Sequence, residues 1–424
     1  MLEKLRRIWD IRELRKKLLF VIGMLVVFRI AAHIPVPGIN VANFQDFFSR
    51  NQVLGMLNIL SGGAMSNFSV VALGVGPYIT ASIIMQLLTM IVPRLEALSK
   101  EGSAGYQKIN QYSRLITVPL AILQAYAMIM IFKQSSQHLI EFTSKMQMIN
   151  TIIVMSAGTI FLMWIGELIT EKKVGNGISL IIFAGIVEQL PISLQQSIVT
   201  FDKAQIFNFL ILSILALITI AGVVLLTEGQ RNIPVTYARR IRGNRMFGGM
   251  DTYLPLKVNQ AGMIPIIFAI SIVLFPGFIG QLMGRSGTAW IANMGSHMVT
   301  LFQNQIIYGL SYFILVVAFT YFYTSIIFHP TQIADNLQKQ GGFVPGLRPG
   351  QPTASYLSLI SNRIMLAGAV ALGVVAILPI ITQGAFKINS FTIGGAGILI
   401  VVSVVLETVK QVQSQISMYE YEDL

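Results

Sequence analysis

An all-α polytopic membrane protein is the fold class this sequence predicts, with ten transmembrane helices in two inverted five-helix halves. Three observations predict it. The 424 residues are 54% hydrophobic and only 11% charged, with a mean hydropathy of +0.69, whereas soluble domains carry about 25% charged residues. Ten apolar segments recur along the chain, several near the length of about 20 residues that crosses a bilayer as a helix and others shorter. Lys and Arg then alternate in abundance between successive loops, which sets an orientation.

In chain order the segments are Leu18–Ala32, Leu73–Val92, Leu115–Phe132, Thr151–Ile165, Gly177–Leu190, Phe207–Leu226, Ala261–Ile279, Ile306–Phe328, Ile364–Ile381 and Phe391–Leu406. Residues 1–17 precede them as a cytoplasmic segment. Leu2, Leu5, Ile8, Trp9 and Leu14 lie there at roughly helical spacing among basic residues. That pattern fits an amphipathic helix at the membrane surface, and equally a basic stretch that only sets topology. No small-residue cleavage site follows the first apolar run, so no cleaved signal is expected.

Of the 30 Lys and Arg, 23 fall in the tail and loops on the N-terminal side of the membrane, six on the other side, and Arg29 near the outer end of the first span. Both termini are therefore expected in the cytoplasm. Spans one to five carry their long loop outside and spans six to ten carry theirs inside, in matching places. This suggests an inverted repeat, residues 18–195 and 196–410, with a cavity where the halves meet. Two long cytoplasmic loops, about 228–258 and 329–362, belong to the second half, and a cytoplasmic tail, 411–424, ends the chain.

The stretch from Asn51 to Ile91 departs from a plain span. Its second half can cross the membrane. Its first half is a short apolar piece broken by Ser61, Gly62 and Gly63. Non-helical backbone at membrane depth survives only inside protein or beside a water-filled cavity, so a half-inserted element next to a cavity is expected. The second, fifth, seventh and tenth spans are short or carry internal Gly and Pro, the pattern of helices that border such a site.

The chemistry available there is sparse. The chain has no cysteine and four scattered histidines, so no thiolate or histidine metal site is expected, nor any cofactor. Arg29, Glu167, Glu188 and Glu407 all sit near span ends, which argues against an ion-coupled pump with a titratable relay at mid-depth. Neither a phosphate loop nor a nucleophile–base pair stands out. Val75, Ile79, Ile182, Ile267 and Ile400 fall at mid-depth in the interrupted spans. Aliphatic residues in spans usually face lipid or core, yet a ring of them can seal a pore by dewetting. Gln86, Gln124, Ser156, Thr159 and Asn259 are the polar groups in or beside spans, and hydrogen bonding between helices is their ordinary role. If Gln86, Gln124 and Asn259 meet, they could latch two helices that must separate.

The loop between spans six and seven holds Arg231, Arg239, Arg240, Arg242 and Arg245. The loop between spans eight and nine brackets Arg348 with Gly342, Pro345, Gly346, Pro349 and Gly350, a shaped tip rather than a floppy linker. Basic cytoplasmic loops follow from topology alone. Their length and their preference for Arg add a docking role, because guanidinium binds carboxylate and phosphate in a bidentate fork, which suits ribosomal RNA or an acidic protein surface.

Six stretches carry a resemblance: FRIAAHIPVPGI (Phe28–Ile39), LSGGAMSNFSVVALGVGPYITASIIMQLL (Leu60–Leu88), MWIGELITEKKVGNGISLIIFAGI (Met163–Ile186), LPLKVNQAGMIPIIFA (Leu254–Ala269), ADNLQKQGGFVPGLRPG (Ala334–Gly350) and IGGAGILIVVSVVLETVKQVQ (Ile393–Gln413). Together they resemble the SecY family, the channel subunits of the Sec protein translocon, over essentially the whole chain and in its bacterial form. The resemblance implies two halves hinged between spans five and six around an hourglass pore. Its constriction ring would be Val75, Ile79, Ile182, Ile267 and Ile400, with valine at 75 where many relatives carry isoleucine. It implies a plug over about residues 51–66, including Leu54, Met56, Leu57, Ile59, Leu60, Ser61, Gly62 and Gly63. A lateral gate would lie between spans two and seven, with span three adjoining, and Thr80, Gln86, Gln124 and Asn259 along it.

Docking would use Arg239, Arg240, Arg242, Arg245 and Arg348, the last matching the arginine of the family's FVPGxRPG loop. Asn244 departs from relatives that have consecutive arginines there, and Arg242 and Arg245 can supply the charge instead. Implied partners are SecE and SecG, the SecA ATPase, the ribosome, signal peptides and preproteins, YidC, SecDF and membrane lipids. The implied location is the bacterial plasma membrane, and the implied function is passive conduction of unfolded preproteins without enzymatic activity. An inverted-repeat transporter of small solutes is the competing expectation and needs a buried charged site. An intramembrane enzyme needs catalytic polar pairs.

Overall fold

A computed structural model describes residues 9–37, 58, 61, 63–133, 144–199, 206–237, 240–242, 245–247, 251–284, 288–386 and 395–422. The helices in order are α1 (Arg12–Ala32), α2 (Gly76–Ile91), α3 (Pro93–Lys100), α4 (Ser103–Lys133), α5 (Lys145–Glu171), α6 (Gly177–Val199) and α7 (Ile206–Glu228). They continue with α8 (Ile264–Met283), α9 (Ala289–Gln303), α10 (Gln305–Ile327), α11 (Pro330–Lys339), α12 (Gln351–Phe386) and α13 (Gly395–Glu422). Strands β1 (Gln230–Tyr237), β2 (Arg240–Arg242), β3 (Arg245–Phe247) and β4 (Asp251–Lys257) lie between α7 and α8, and β5 (Gly342–Phe343) lies between α11 and α12.

Each of the ten expected spans coincides with a helix: α1, α2, α4 to α8, α10, α12 and α13. Among the described residues, stretches of α4, α5, α10, α12 and α13 are long and apolar enough to cross a membrane alone. The others fall short for visible reasons: α1 opens on a basic turn, and α6, α7 and α8 hold only shorter apolar stretches, such as Gly177–Glu188 and Ile264–Val273. Helix α2 ends where Val92 is extended (φ −95°, ψ 111°), and α3 then leaves at 100°. The residue before a proline is pushed out of the helical region, so Pro93 sets that corner. Two features differ from the expected all-helical outline. The first is α9, a helix outside the expected spans, and the second is a pair of small sheets in the loops that follow α7 and α11.

The chain divides into two compact units. The first holds α1 to α6, the second half of α8, α9 and α13. Within it α2, α4 and α5 pack side by side, and α13 lies on α6. Helix α13 runs unbroken to Glu422, so the expected separate tail is its last turns. A polar cluster ties those turns to the first helix. Tyr419 donates to Glu13 at 2.8 Å, Lys17 donates to Tyr419 at 3.1 Å and to Gln415 at 3.3 Å, and Gln415 donates to the Lys173 carbonyl.

Where α5 crosses the segment before α2, Gly158 leaves no room for a side chain. A Cβ there would stand 2.1 Å from the Val70 carbonyl oxygen. Gly158→Leu therefore requires backbone to move, and overpacking costs about 1–3 kcal/mol or more. We expect a lower thermal midpoint for this variant in detergent; an unchanged midpoint contradicts the packing.

The second unit holds α7, the first part of α8, α10, α11, α12 and the strands. Phe268 of α8 meets Phe319 and Tyr323 of α10 edge-on, each at 6.1 Å between ring centres. Strand β1 is flanked by β4 and β5 in the order β4-β1-β5. Its register pairs Ile233 with Leu254, and Thr236 with Phe343. Pro234 lacks an N–H to give to a ladder; it sits where β1 has a neighbour on one side only, because β5 reaches just Thr236 and Tyr237. Ile233, Leu256, Val344, Leu357 and Ile360 form a small core beneath this sheet.

Candidate functional site

The segment leading into α2 is held by short-range bonds that follow from its composition. Ser61 donates to the Asn58 carbonyl at 2.9 Å and accepts from the Met65 N–H at 3.1 Å. The Asn58 side chain accepts from the Ser66 N–H at 2.9 Å. Ser, Asn and Gly thus substitute for a helical ladder. Further on, Val36 N–H donates to the Phe68 carbonyl at 3.0 Å and Val70 N–H to the Ile34 carbonyl at 2.9 Å, tying the segment to the end of α1. Phe68 has φ 42° yet is fully buried, with its ring edge-on to Phe132 at 5.9 Å. A left-handed conformation costs a non-glycine residue roughly 1–2 kcal/mol; burying an aromatic ring among Met65, Ala72, Leu73, Met128, Ile129 and Met155 offsets it.

That anchored corner delivers the predicted ring positions on α2. Val75 caps the helix and Ile79 lies one turn in. Val75, Ile79, Ile182 and Ile400 are buried in the first unit and Ile267 in the second, none more than 6% exposed. Of the expected plug, Ser61 and Gly63 are described, as turn residues. Leu54, Met56, Leu57, Ile59, Leu60 and Gly62 lie outside the described residues, as do Leu2, Leu5 and Ile8 of the expected N-terminal amphipathic helix.

The predicted gate residues are half-buried or buried. Thr80 bonds back to the Gly76 carbonyl at 3.0 Å. Gln86 on α2 and Gln124 on α4 belong to packed neighbours, but no hydrogen bond joins the two. Asn259, 7% exposed, donates to the Gly262 carbonyl at 3.0 Å while its side-chain oxygen is buried without a hydrogen-bond partner. An unmet buried acceptor costs about 1–3 kcal/mol.

Two ion pairs escaped the sequence reading. Arg29 of α1 pairs with Glu188 of α6, which also faces His33 at 3.3 Å, and Arg114 of α4 pairs with Glu167 of α5. Arg29, Glu167 and Glu188 were visible as charges near span ends, and Arg114 directly precedes the third expected span. Their pairing was not, because the partners come from different helices.

The loops that follow α7 and α11, read separately from the sequence, share one sheet through β1 and β5. Arg348 sits at the exposed tip beyond β5. Gly346 (φ 84°) and Gly350 (φ 92°) supply left-handed turns on either side, conformations glycine adopts without steric cost. Thr353 Oγ1 donates to the Arg348 carbonyl at 2.8 Å. Arg240, Arg242 and Arg245 lie on the paired strands β2 and β3, whereas Arg239 lies outside the described residues. Among the described residues no cluster of three or more His, Asp or Glu could hold a metal ion.

The SecY family model matches residues 69–409. The chain is similar to the protein translocase subunit SecY of Mycobacterium bovis, 43% identical over 97% of this chain and 96% of the relative. It is similar in fold to a solved SecY whose plug domain is described as stabilising the closed translocation channel and maintaining a membrane seal, with TM-score 0.64 and 18% identity over 94% and 91% of the two chains. Sec61 from a canine ribosome–channel complex matches with TM-score 0.58 and 16% identity over the same shares. With the family model and a full-length relative in agreement, the chain belongs to the SecY family of protein-conducting channels.

Proposed function

We propose that this chain is the passive pore of a bacterial Sec translocase, with no catalytic activity of its own, residing in the plasma membrane with both termini in the cytoplasm. Unfolded preproteins pass through a ring made by Val75, Ile79, Ile182, Ile267 and Ile400. A plug over residues 51–66 closes the outer side, and transmembrane segments leave sideways between α2 and α8, with α4 adjoining. Residues 18–195 and 196–410 act as the two halves of the clamp. The energy comes from partners, SecA or the ribosome, docked on the loops of residues 228–258 and 329–362. SecE and SecG complete the channel, and YidC and SecDF act beside it.

The observation that carries this reading is the burial of all five ring aliphatics, none more than 6% exposed, on helices interrupted by Gly or Pro or on the turn that enters one. Such a ring excludes water without any charged group. The competing small-solute transporter calls for an unpaired charged site at depth, whereas Arg114–Glu167 and Arg29–Glu188 are already paired. The unmet oxygen of Asn259 supports the gate: a latch across a seam that opens needs a group free to exchange partners.

Photocross-linking tests the proposal. A benzophenone residue at Gln86 or Gln124 should form adducts with a stalled preprotein that carries a signal sequence. The same probe at Leu123, 65% exposed and turned about 100° around α4 from Gln124, should form few. Equal labelling at all three positions, or none at the glutamines, overturns the gate.

A further inference from the structure

Helix α9 was not anticipated, and its surface divides into three stripes. At 100° per residue, Ile291, Ala292, Gly295, Met298, Val299 and Phe302 share one side and are shielded. That side packs on the second half of α8: a Cβ on Gly295 would stand 2.2 Å from the Gly284 nitrogen and 2.5 Å from the Gly280 oxygen. The two helices therefore touch backbone to backbone. A second stripe, Asn293, Ser296, Thr300 and Gln303, is polar and exposed. The third is apolar and exposed: Trp290 at 70%, Met294 at 43% and Leu301 at 49%, with His297 between them.

We infer that this third stripe is covered by lipid, and that α9 lies along the outer membrane–water boundary with Trp290, Met294 and Leu301 among acyl chains. Three arguments converge on that occupant. Connectivity sets the depth: α9 follows the end of α8 at Met283 and precedes α10 after the single extended residue Asn304 (φ −71°, ψ 116°). Both neighbours coincide with expected spans, so α9 starts and stops at the level where one leaves the membrane and the other enters it. Composition fits the boundary too. Residues 289–303 contain no Asp, Glu, Lys or Arg, so a charged protein surface has nothing to pair with, while tryptophan is enriched where headgroups meet hydrocarbon. Finally, the polar stripe flanks the apolar one, as in helices that lie in the interface plane with one side wet.

The inference does not depend on what the channel conducts. It assigns α9 a mechanical role as a float that holds the outer end of α8 at a fixed depth through the glycine contact.

The chain contains no cysteine, so Met294→Cys, Leu301→Cys and Ser296→Cys each carry a single nitroxide. The full chain, in nanodiscs of phosphatidylglycerol and phosphatidylethanolamine, would be probed by collision with oxygen, which partitions into lipid, and with a water-soluble nickel chelate. At 294 and 301 oxygen should win, at 296 the nickel chelate, so the depth parameter reverses sign across the helix. Nickel access at all three positions means the stripe faces water and overturns the inference. Exclusion of both probes at 294 and 301 means protein covers the stripe, which also overturns it. Two apolar positions guard against one misfolded variant.

Discussion

Replacing Ile79 and Ile400 together with serine raises the resting ion conductance of channels reconstituted in planar bilayers. The two side chains are 6% and 0% exposed, and each presents only carbon to its neighbours. A narrow passage lined by aliphatic groups stays dry because water loses hydrogen bonds on entering it, and hydroxyls restore them. Deleting core methylenes also destabilises, by about 2–5 kcal/mol when isoleucine becomes alanine, so leak must be separated from loose packing. The Ile79→Val and Ile400→Val pair makes that separation. Each costs about 0.5–1.5 kcal/mol but leaves the lining apolar, and the double valine channel should remain tight. Val75 already stands in the set as a valine. Serine channels as tight as the parent, or valine channels that leak as much as the serine ones, contradict the ring.

Different parts of the molecule were legible in the sequence to different degrees, and the reasons are physical. Spans such as α5 and α10 announce themselves because a bilayer demands about 20 apolar residues in a row, a constraint written locally. The corner at Val92 is local as well, since Pro93 dictates it. Helix α9 was missed because its apolar residues are shared between two sides and interleaved with Asn, Ser, Thr and Gln, so no run reaches span length. The β1–β5 pairing was missed because Thr236 and Phe343 are brought together only by the helices between them, which no local pattern encodes. The same holds for Arg29 with Glu188. The ring residues occupy the opposite extreme. Pattern gave Ile182 and Ile267 a mid-depth place in interrupted spans, a place open to many other aliphatic residues, and the resemblance assigned them to the ring. Their burial agrees with that assignment, and the conductance measurement separates a pore ring from a plain core.

Arg348→Glu stops motor-driven export while leaving the channel assembled. Its side chain is exposed, and the fold around it rests on other groups: Val344, 3% exposed beneath the tip, the Leu347 N–H to Val344 carbonyl bond at 3.0 Å, and Thr353 on the Arg348 carbonyl. Surface substitutions away from such features usually change stability by no more than about 0.5 kcal/mol, so yield and thermal midpoint should match the parent. The loss falls on docking instead. A hydrogen bond to a charged group contributes about 1.5–3 kcal/mol, which corresponds to roughly 10–150-fold in affinity, and reversing the charge adds repulsion from an acidic partner. Arg348→Lys keeps the charge but loses the planar fork, so it should fall between parent and glutamate. The readout is ATP-driven import of a preprotein into inverted vesicles, with motor binding measured in parallel. Import at the parental rate in the glutamate variant refutes docking at this tip. Equal loss in lysine and glutamate variants points to the guanidinium shape rather than its charge. A graded loss, with motor binding falling in step, is the outcome expected of a rigid tip, because a guanidinium pre-positioned by two glycine turns gives up little side-chain entropy when a partner engages it.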